Sequence, residues 1–247
     1  MYRKREQARE YIKFHRDSQT SPGRRIIMIY ISSDWHLAKT PNGRRPHIDT
    51  ATLNIVSEEL KKLTKDDIFI FLGDLMDDGI RCPLSGEFER ILLLRESILK
   101  TKKSIFIRGN NDDQSDNFYK VLGFDEIAYG VVANLEKDEK KINIILSHTS
   151  LDIHDSEWIN IHGHIHRPNV DPDTISYYHD PSRCINICTA DRRQLRLTAL
   201  ESIDLSKELE RNNTWSLGFE NPGMSTLCQN QAMLIFNRTN PENVKES

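Results

Sequence analysis

The chain has 247 residues, 37% of them hydrophobic, and a formal net charge of −3. That is enough apolar material for one substantial core with extensions, and one domain is expected. The longest apolar run is only a few residues and the N-terminus opens on Arg3-Lys4-Arg5 mixed with Glu6 and Glu10, so neither a membrane span nor a secretion signal is expected, and the cytosol is the expected compartment.

Residues 1–25 carry eight Lys/Arg against three Asp/Glu, which leaves about −8 on the remainder. Arg3 to Arg16 has some helical potential, and the Ser18 to Arg25 stretch is breaker and linker chemistry. The segment reads as a flexible basic leader outside the core, with contact to nucleic acid its functional alternative. Cys82, Cys184, Cys188 and Cys228 show no CxxC spacing and read as ordinary reduced thiols.

Met28 opens the first strand, Ile29-Tyr30-Ile31, which runs into Asp34-Trp35-His36. A loop with Arg44, Arg45 and His47 follows and should rim any site there. A helix is expected from about Thr50, with Leu53, Val56, Leu60 and Leu63 at helical spacing. The buried run Ile68 to Leu72 ends in Gly73-Asp74. A second helix, about Glu87 to Lys100, returns the chain to a strand Ser104 to Arg108, which ends in Gly109-Asn110-Asn111-Asp112. Asp116 to Leu122 suggests a short helix, and Val131 to Leu135 with Ile142 to Leu146 an antiparallel hairpin. Trp158 to His162 leads into Gly163-His164-Ile165-His166, and Cys184 to Thr189 gives a last alternating strand, after a loop from Pro168 to Pro181. Beyond Ser206 the composition turns polar, and only Ala232 to Phe236 looks able to form a regular element. The expected division is a leader 1–25, a domain 26–205 and a polar extension 206–247.

Five strand-like runs thus end in hard or borderline ligands, the last two in Ser147-His148 and in the His164, His166 pair. Polar residues at strand carboxyl ends point into the crevice where open α/β sheets bind ligands. Imidazoles, carboxylates and an amide oxygen suit first-row divalent ions, and no thiolate stands at these positions to favour a closed structural zinc site. An HExxH helix pair, the mark of mononuclear zinc hydrolysis, is missing. His154 and His162 fall outside the pattern and receive no role.

Asp34-x-His36, Gly73-Asp74, Gly109-Asn110-Asn111-Asp112, His148 and Gly163-His164-x-His166 resemble, in order, the signature blocks of the calcineurin-like metallophosphoesterase superfamily, and most of all its small bacterial and phage-type members. The resemblance implies an α/β fold, a four-layer αββα sandwich of two mixed β-sheets flanked by helices. It implies Asp34, His36 and His166 as ligands of one divalent ion, Asn110, His148 and His164 as those of a second, and Asp74 as the bridge. Two such ions, roughly 3.5 to 4 Å apart, clamp a phosphate and hold a bridging hydroxide as the in-line nucleophile. Manganese is the expected metal, with Fe, Zn, Ni or Co also suited. The expected partner is a phosphomonoester or phosphodiester substrate, nucleotides included.

Two departures matter. Asp78 stands where the resembling protein phosphatases carry a phosphate-gripping Arg, which argues against that activity. Asn111 stands where the commonest pattern has the His that protonates the leaving oxygen, with the following acid, here Asp112, orienting it. An amide can donate a hydrogen bond but no proton at neutral pH. Catalytic roles for Asn111 and Asp112 therefore rest on the resemblance, and two alternatives stay open: a metal-binding scaffold with weakened turnover, and a nuclease.

Overall fold

The computed structural model describes residues 11–13, 27–39, 47–76, 85–137, 140–151, 153, 157–164, 183–188 and 195–213. Expectations for Arg44, Arg45, Asp78, His154, His166, the loop from Pro168 to Pro181, the stretch from Ala232 to Phe236 and most of the leader lie outside these residues.

Two mixed sheets with flanking helices form the fold, as expected. In the first sheet β2 (Ile29–Ser32), β5 (Ile68–Phe71), β6 (Lys103–Ile107) and β7 (Glu126–Ala128) run parallel, and β12 (Thr198–Ala199) lies antiparallel on β2. The second sheet has the order β1 (Tyr11–Lys13), β8 (Gly130–Lys137), β9 (Lys140–Ser147), β10 (Trp158–His162) and β11 (Cys184–Asn186). Its β8–β9 pair is the expected antiparallel hairpin, whereas β9, β10 and β11 are parallel. A small antiparallel pair, β3 (Ala38–Lys39) and β4 (His47–Ile48), follows the first strand end.

The alternation within the strands explains the layering. In β5, Ile68 and Ile70 join Ile29, Ile31, Ile105 and Ile107 in an aliphatic layer that meets Ile144, Leu146, Ile159 and Ile161 of the second sheet. Phe69 and Phe71 of the same strand face the opposite way and pack with Trp35, Phe106, Tyr119 and Phe124. Successive strand side chains point to opposite faces, so one Ile-Phe-Ile-Phe run serves two cores. The aromatic layer is covered by α1 (Thr50–Leu60) through Leu53, Val56 and Leu60, and by Ile91, Leu94 and Ile98 of the next helical stretch. Asp49 caps α1, accepting from Ala51 N at 3.0 Å and Thr52 N at 3.5 Å. The outer face of the second sheet carries a smaller cluster, Val132, Ile145, Leu151, Ile153 and Trp158.

The single helix expected over Glu87 to Lys100 is two, α2 (Ser85–Leu92) and α3 (Arg95–Leu99). Three consecutive leucines, 92 to 94, cannot share one face; tight turns from Leu93 N to Arg90 O and Leu94 N to Ile91 O leave Leu93 exposed and bury Leu94. The short α4 (Asp116–Val121) matches expectation and ends before Gly123, whose φ is +105°. At the N-terminus, Tyr11–Lys13 is an edge strand parallel to β8 where helix was expected. Toward the C-terminus, α5 (Leu205–Asn213) is an element that the polar composition hid; Leu205 and Leu209, four apart, pack on the inter-sheet layer.

Candidate metal centre

The parallel β2, β5 and β6 bring their carboxyl ends to one end of the first sheet, and β9 and β10 do the same for the second. The loops beyond β2 and β5 continue to pair: Asp34 N donates to Gly73 O at 2.9 Å, His36 N to Asp74 O at 3.1 Å and Leu37 N to Leu75 O at 2.8 Å. Asp112, buried beyond β6, adds a third loop to this pair. Its Oδ2 accepts from Asp74 N and Gly109 N, each at 2.7 Å, and its Oδ1 from Leu75 N at 3.2 Å. Arg108 shapes the same loop, donating to Asp112 O, Gln114 O and Asp116 Oδ1 while lying over the Tyr119 ring.

Among the described residues, only four non-glycine positions have positive φ: Asp34 (56°), His36 (43°), Asp74 (59°) and His164 (66°). All four are sequence-predicted ligands. Each costs of order 1–3 kcal/mol and persists only where its surroundings over-determine it, a condition met typically at functional sites.

The donors converge. Ligand atoms of Asp34, His36 and Asp74 form one group and those of Asp74, His148 and His164 another, with all atoms of each group within 4.8 Å of one another. His36 Nε2 lies 3.8 Å from Asp34 Oδ1 and 3.8 Å from Asp74 Oδ2; His148 Nε2 lies 3.4 Å from Asp74 Oδ1 and 2.9 Å from Asn110 Oδ1. Donors sharing one ion with bonds near 2.1 Å sit roughly 3 to 3.5 Å apart; the His148 separations are close to that range and the His36 separations a few tenths of an ångström wider. His148 Nδ1 meets Leu72 O at 2.7 Å. A carbonyl only accepts, so Nδ1 carries the proton and Nε2 is left to face the site.

Glycines admit this closeness. A Cβ on Gly109 would lie 2.1 Å from Asp74 Oδ1, and one on Gly163 would lie 2.4 Å from Asp34 Oδ2 and 2.7 Å from Ser33 Oγ. Gly73, at φ +88°, would place a Cβ 2.7 Å from His148 Nδ1. The cradle and the donor chemistry both fit divalent ions bound by carboxylate and imidazole.

Electrostatics follow from the crowding. Burial raises the pKa of Asp74, but His148 outweighs it and leaves the carboxyl below its usual range. Burial lowers that of His148, and Asp74 reverses this, pushing it up to about 9. His164 is held down to about 4 by burial and then by His148, and Asp112 is raised to about 6 by burial and then by Asp74. A buried patch that holds a cationic imidazole between carboxylates is one that stabilises positive charge.

A model of the calcineurin-like phosphoesterase family matches residues 27–197. The chain belongs to that family. Calcineurin-like phosphoesterases act on phosphoesters and bind divalent metals, and the two Asp/His groups here are ones that could hold them. No curated protein matches the chain. Among solved structures, the protein of unknown function AQ665 from Aquifex aeolicus is 21% identical, with 72% of this chain and 98% of that chain covered and a TM-score of 0.46. Nuclease MPE from Pseudomonas putida is also 21% identical, with 56% of this chain and 61% of that one covered and a TM-score of 0.37. Among the described residues no helix is long and apolar enough to cross a membrane.

Of the sequence-predicted site residues, Asp34, His36, Asp74, Asn110, His148 and His164 come together, and His166 lies outside the described residues. Asn111 reaches Asp74 twice, its backbone N donating to Oδ1 at 3.0 Å and its Nδ2 to Oδ2 at 2.7 Å. Ser33, Arg108 and Asn160, which frame the ligand loops, carried no motif, and Ser147 stood out only as the neighbour of His148. The one signal for Asn160 is a lone amide in the buried strand Trp158-Ile-Asn-Ile-His162.

Proposed function

We propose that this chain is a dinuclear metal-dependent phosphoesterase in which Asp34, His36 and His166 hold one ion, Asn110, His148 and His164 hold the other, and Asp74 is shared. The observation that carries the reading is the pair of donor groups with Asp74 common to both. When bound, two such ions supply charge neutralisation at the phosphoryl group and an activated water for in-line attack; manganese is the metal we assign from among the first-row divalent ions that imidazole, carboxylate and amide oxygen suit.

The chain's own groups do the rest. Asp112 keeps the loops of Asp74 and Asn110 in register through three backbone N–H groups. Asn111 offers an amide donor beside Asp74, placed to meet a phosphate oxygen but unable to protonate a leaving alkoxide. Substrates whose leaving group departs unaided are therefore favoured, and aryl-type or activated diesters fit better than simple alkyl monoesters. The test is a panel of nitrophenyl mono- and diesters, nucleotides and single-stranded DNA, run with protein stripped by chelator and refilled with Mn, Co, Ni or Zn. Hydrolysis that vanishes on stripping and returns with metal supports the reading. Full activity in the stripped protein would sink it. Metal uptake without turnover of any ester would leave a binding scaffold, the reading favoured by Asn111 in place of an imidazole.

A further inference from the structure

The turn that carries His148 is bonded at both ends to an amide that does not touch the imidazole. Asn160, in the middle of β10, is fully buried between Ile159 and Ile161. Its neighbours Ile159 and Ile161 face the inter-sheet layer, so Asn160 points with Trp158 to the other face, away from that layer. There both protons of the amide nitrogen and the amide oxygen are hydrogen-bonded. Nδ2 donates to Ile145 O at 3.0 Å and to Ser147 Oγ at 2.8 Å; Oδ1 accepts from Leu151 N at 2.9 Å, with Cys184 Sγ 3.5 Å away. Ile145 O can only accept and Leu151 N can only donate, so the orientation of the amide is fixed.

These partners bracket the turn that carries His148. Ser147 Oγ, held by Asn160, donates onward to Thr149 O at 2.7 Å, and the Cys184 thiol grips Leu151 O at 3.0 Å. Residues 147 to 151 are all buried, and both ends of the turn are therefore fastened to one side chain. His148 sits between the fastenings, with Gly163 N donating to its carbonyl at 3.1 Å. With the backbone held this way, Nδ1 stays on Leu72 O while Nε2 faces Asn110 and Asp74.

We propose that Asn160 is a positioning residue for His148: through Ser147 and Leu151 it fixes the turn, and so the aim of the imidazole, without touching ion or substrate. The inference rests on the dinuclear reading for its effect on metal, while its effect on the imidazole stands apart from that reading. Groups that orient a ligand from outside typically change metal affinity by about 10- to 100-fold when removed.

The experiment compares wild type with Asn160→Leu, Ser147→Ala and Ser147→Thr. Manganese is titrated into the metal-free full chain and followed by the spin-resonance signal of free ion, and the His148 ring signals of the metal-free chain are read by NMR. Asn160→Leu and Ser147→Ala should weaken one of the two manganese affinities by about 10- to 100-fold and leave the other at its wild-type value. Their His148 ring signals should shift or broaden. Ser147→Thr keeps the hydroxyl and should restore both. Ser147→Ala leaves the other Asn160 bonds in place, so it decides the matter if Asn160→Leu does not fold. Folded Ser147→Ala protein with unchanged manganese binding and unchanged His148 signals would overturn the inference, even with a lower Tm. Wild-type protein that takes up no manganese would instead overturn the dinuclear reading, and the His148 signals would still decide this one.

Discussion

The two halves of the candidate centre are held in different ways. The half on β2, β5 and β6 is fastened through backbone: the loops at Asp34 and Asp74 pair N–H to carbonyl beyond the strand ends, and Asp112 binds three N–H groups of two loops at once. The half on β9 and β10 is fastened through side chains, with Asn160 and Ser147 tying the turn at His148. The two meet where His164 N donates to Asp34 Oδ2 at 2.9 Å and Gly163 packs on Ser33 and Asp34. Carboxylates that must lie close despite like charge need a rigid frame, and a continuous backbone ladder supplies one. Imidazoles are not held against like negative charge, and a buried side-chain network suffices for them.

The largest effect is expected where the two donor groups share a residue. Asp74→Ala removes the donor common to both groups, so turnover should fall to the level of the metal-stripped protein and both manganese affinities should collapse, as measured by titration and ester hydrolysis. Retention of one wild-type affinity would separate the halves and break the shared-ligand picture.

Next comes the missing acid. A positioned general acid contributes typically about 10²- to 10⁴-fold when the leaving group needs a proton. Asn111→His should raise hydrolysis of alkyl or nucleoside esters by up to about that range relative to nitrophenyl esters, whose leaving group departs unaided. The ratio of the two kcat/KM values is the measurement. An unchanged ratio at normal metal content would mean that another group already supplies the proton.

The glycines sharpen the contrast. Gly109→Ala sets a methyl group 2.5 Å from Asp74 N and 2.1 Å from Asp74 Oδ1, within the backbone-fastened half. Small-to-large changes in tight packing cost typically about 1–3 kcal/mol, and because the Asp74 and Asp112 loops cannot give way independently, the effect should appear in Tm as well as in metal affinity. Gly163→Ala meets Asp34 Oδ2 and the Ser33 side chain, at the seam between halves. There the metal affinity should fall more than the Tm. Equal losses of Tm in the two variants would erase the distinction.

How much of this was legible follows the same line. The candidate donors that come together stood out because they follow apolar runs that are buried as strands, and strand ends fix where side chains point; Ile68 to Leu72 before Asp74 is the clearest case. The layering was readable from alternation, as in Ile-Phe-Ile-Phe. The break at Leu93 was not, because a run of three leucines fits one amphipathic helix or two. Nor was α5, whose two apolar positions are diluted by charge. The fastening of the loops was hidden for a different reason: Asp112 and Asn160 act on partners 3 to 38 residues away, and no local pattern encodes those bonds.

The smallest effect probes the carboxylate–imidazole contact between the halves. His148 has its pKa raised to about 9 in the folded, metal-free chain, against 6.5 as the ordinary value, because Asp74 overcomes the burial that acts the other way. A folded-state value above the unfolded one means that the folded chain binds the proton more tightly. The stabilisation is fully present below about 6.5 and is lost as pH rises through about 9. Asp112, also raised, to about 6, acts in the same sense at lower pH: its stabilisation is lost as pH rises from the usual carboxylate range through about 6, so its contribution is complete below the His148 window. Cys188, whose thiol burial pushes up from 9.0, acts above it. Calorimetry in chelator should therefore show Tm falling between pH 6.5 and 9. In His148→Gln the slope over this window should flatten, since Gln carries no titrating proton. With saturating manganese the fall should also disappear, because a ligating imidazole has already given up the site-facing proton. A slope that persists in His148→Gln would place the titrating group elsewhere and remove the charge contact that joins the two halves.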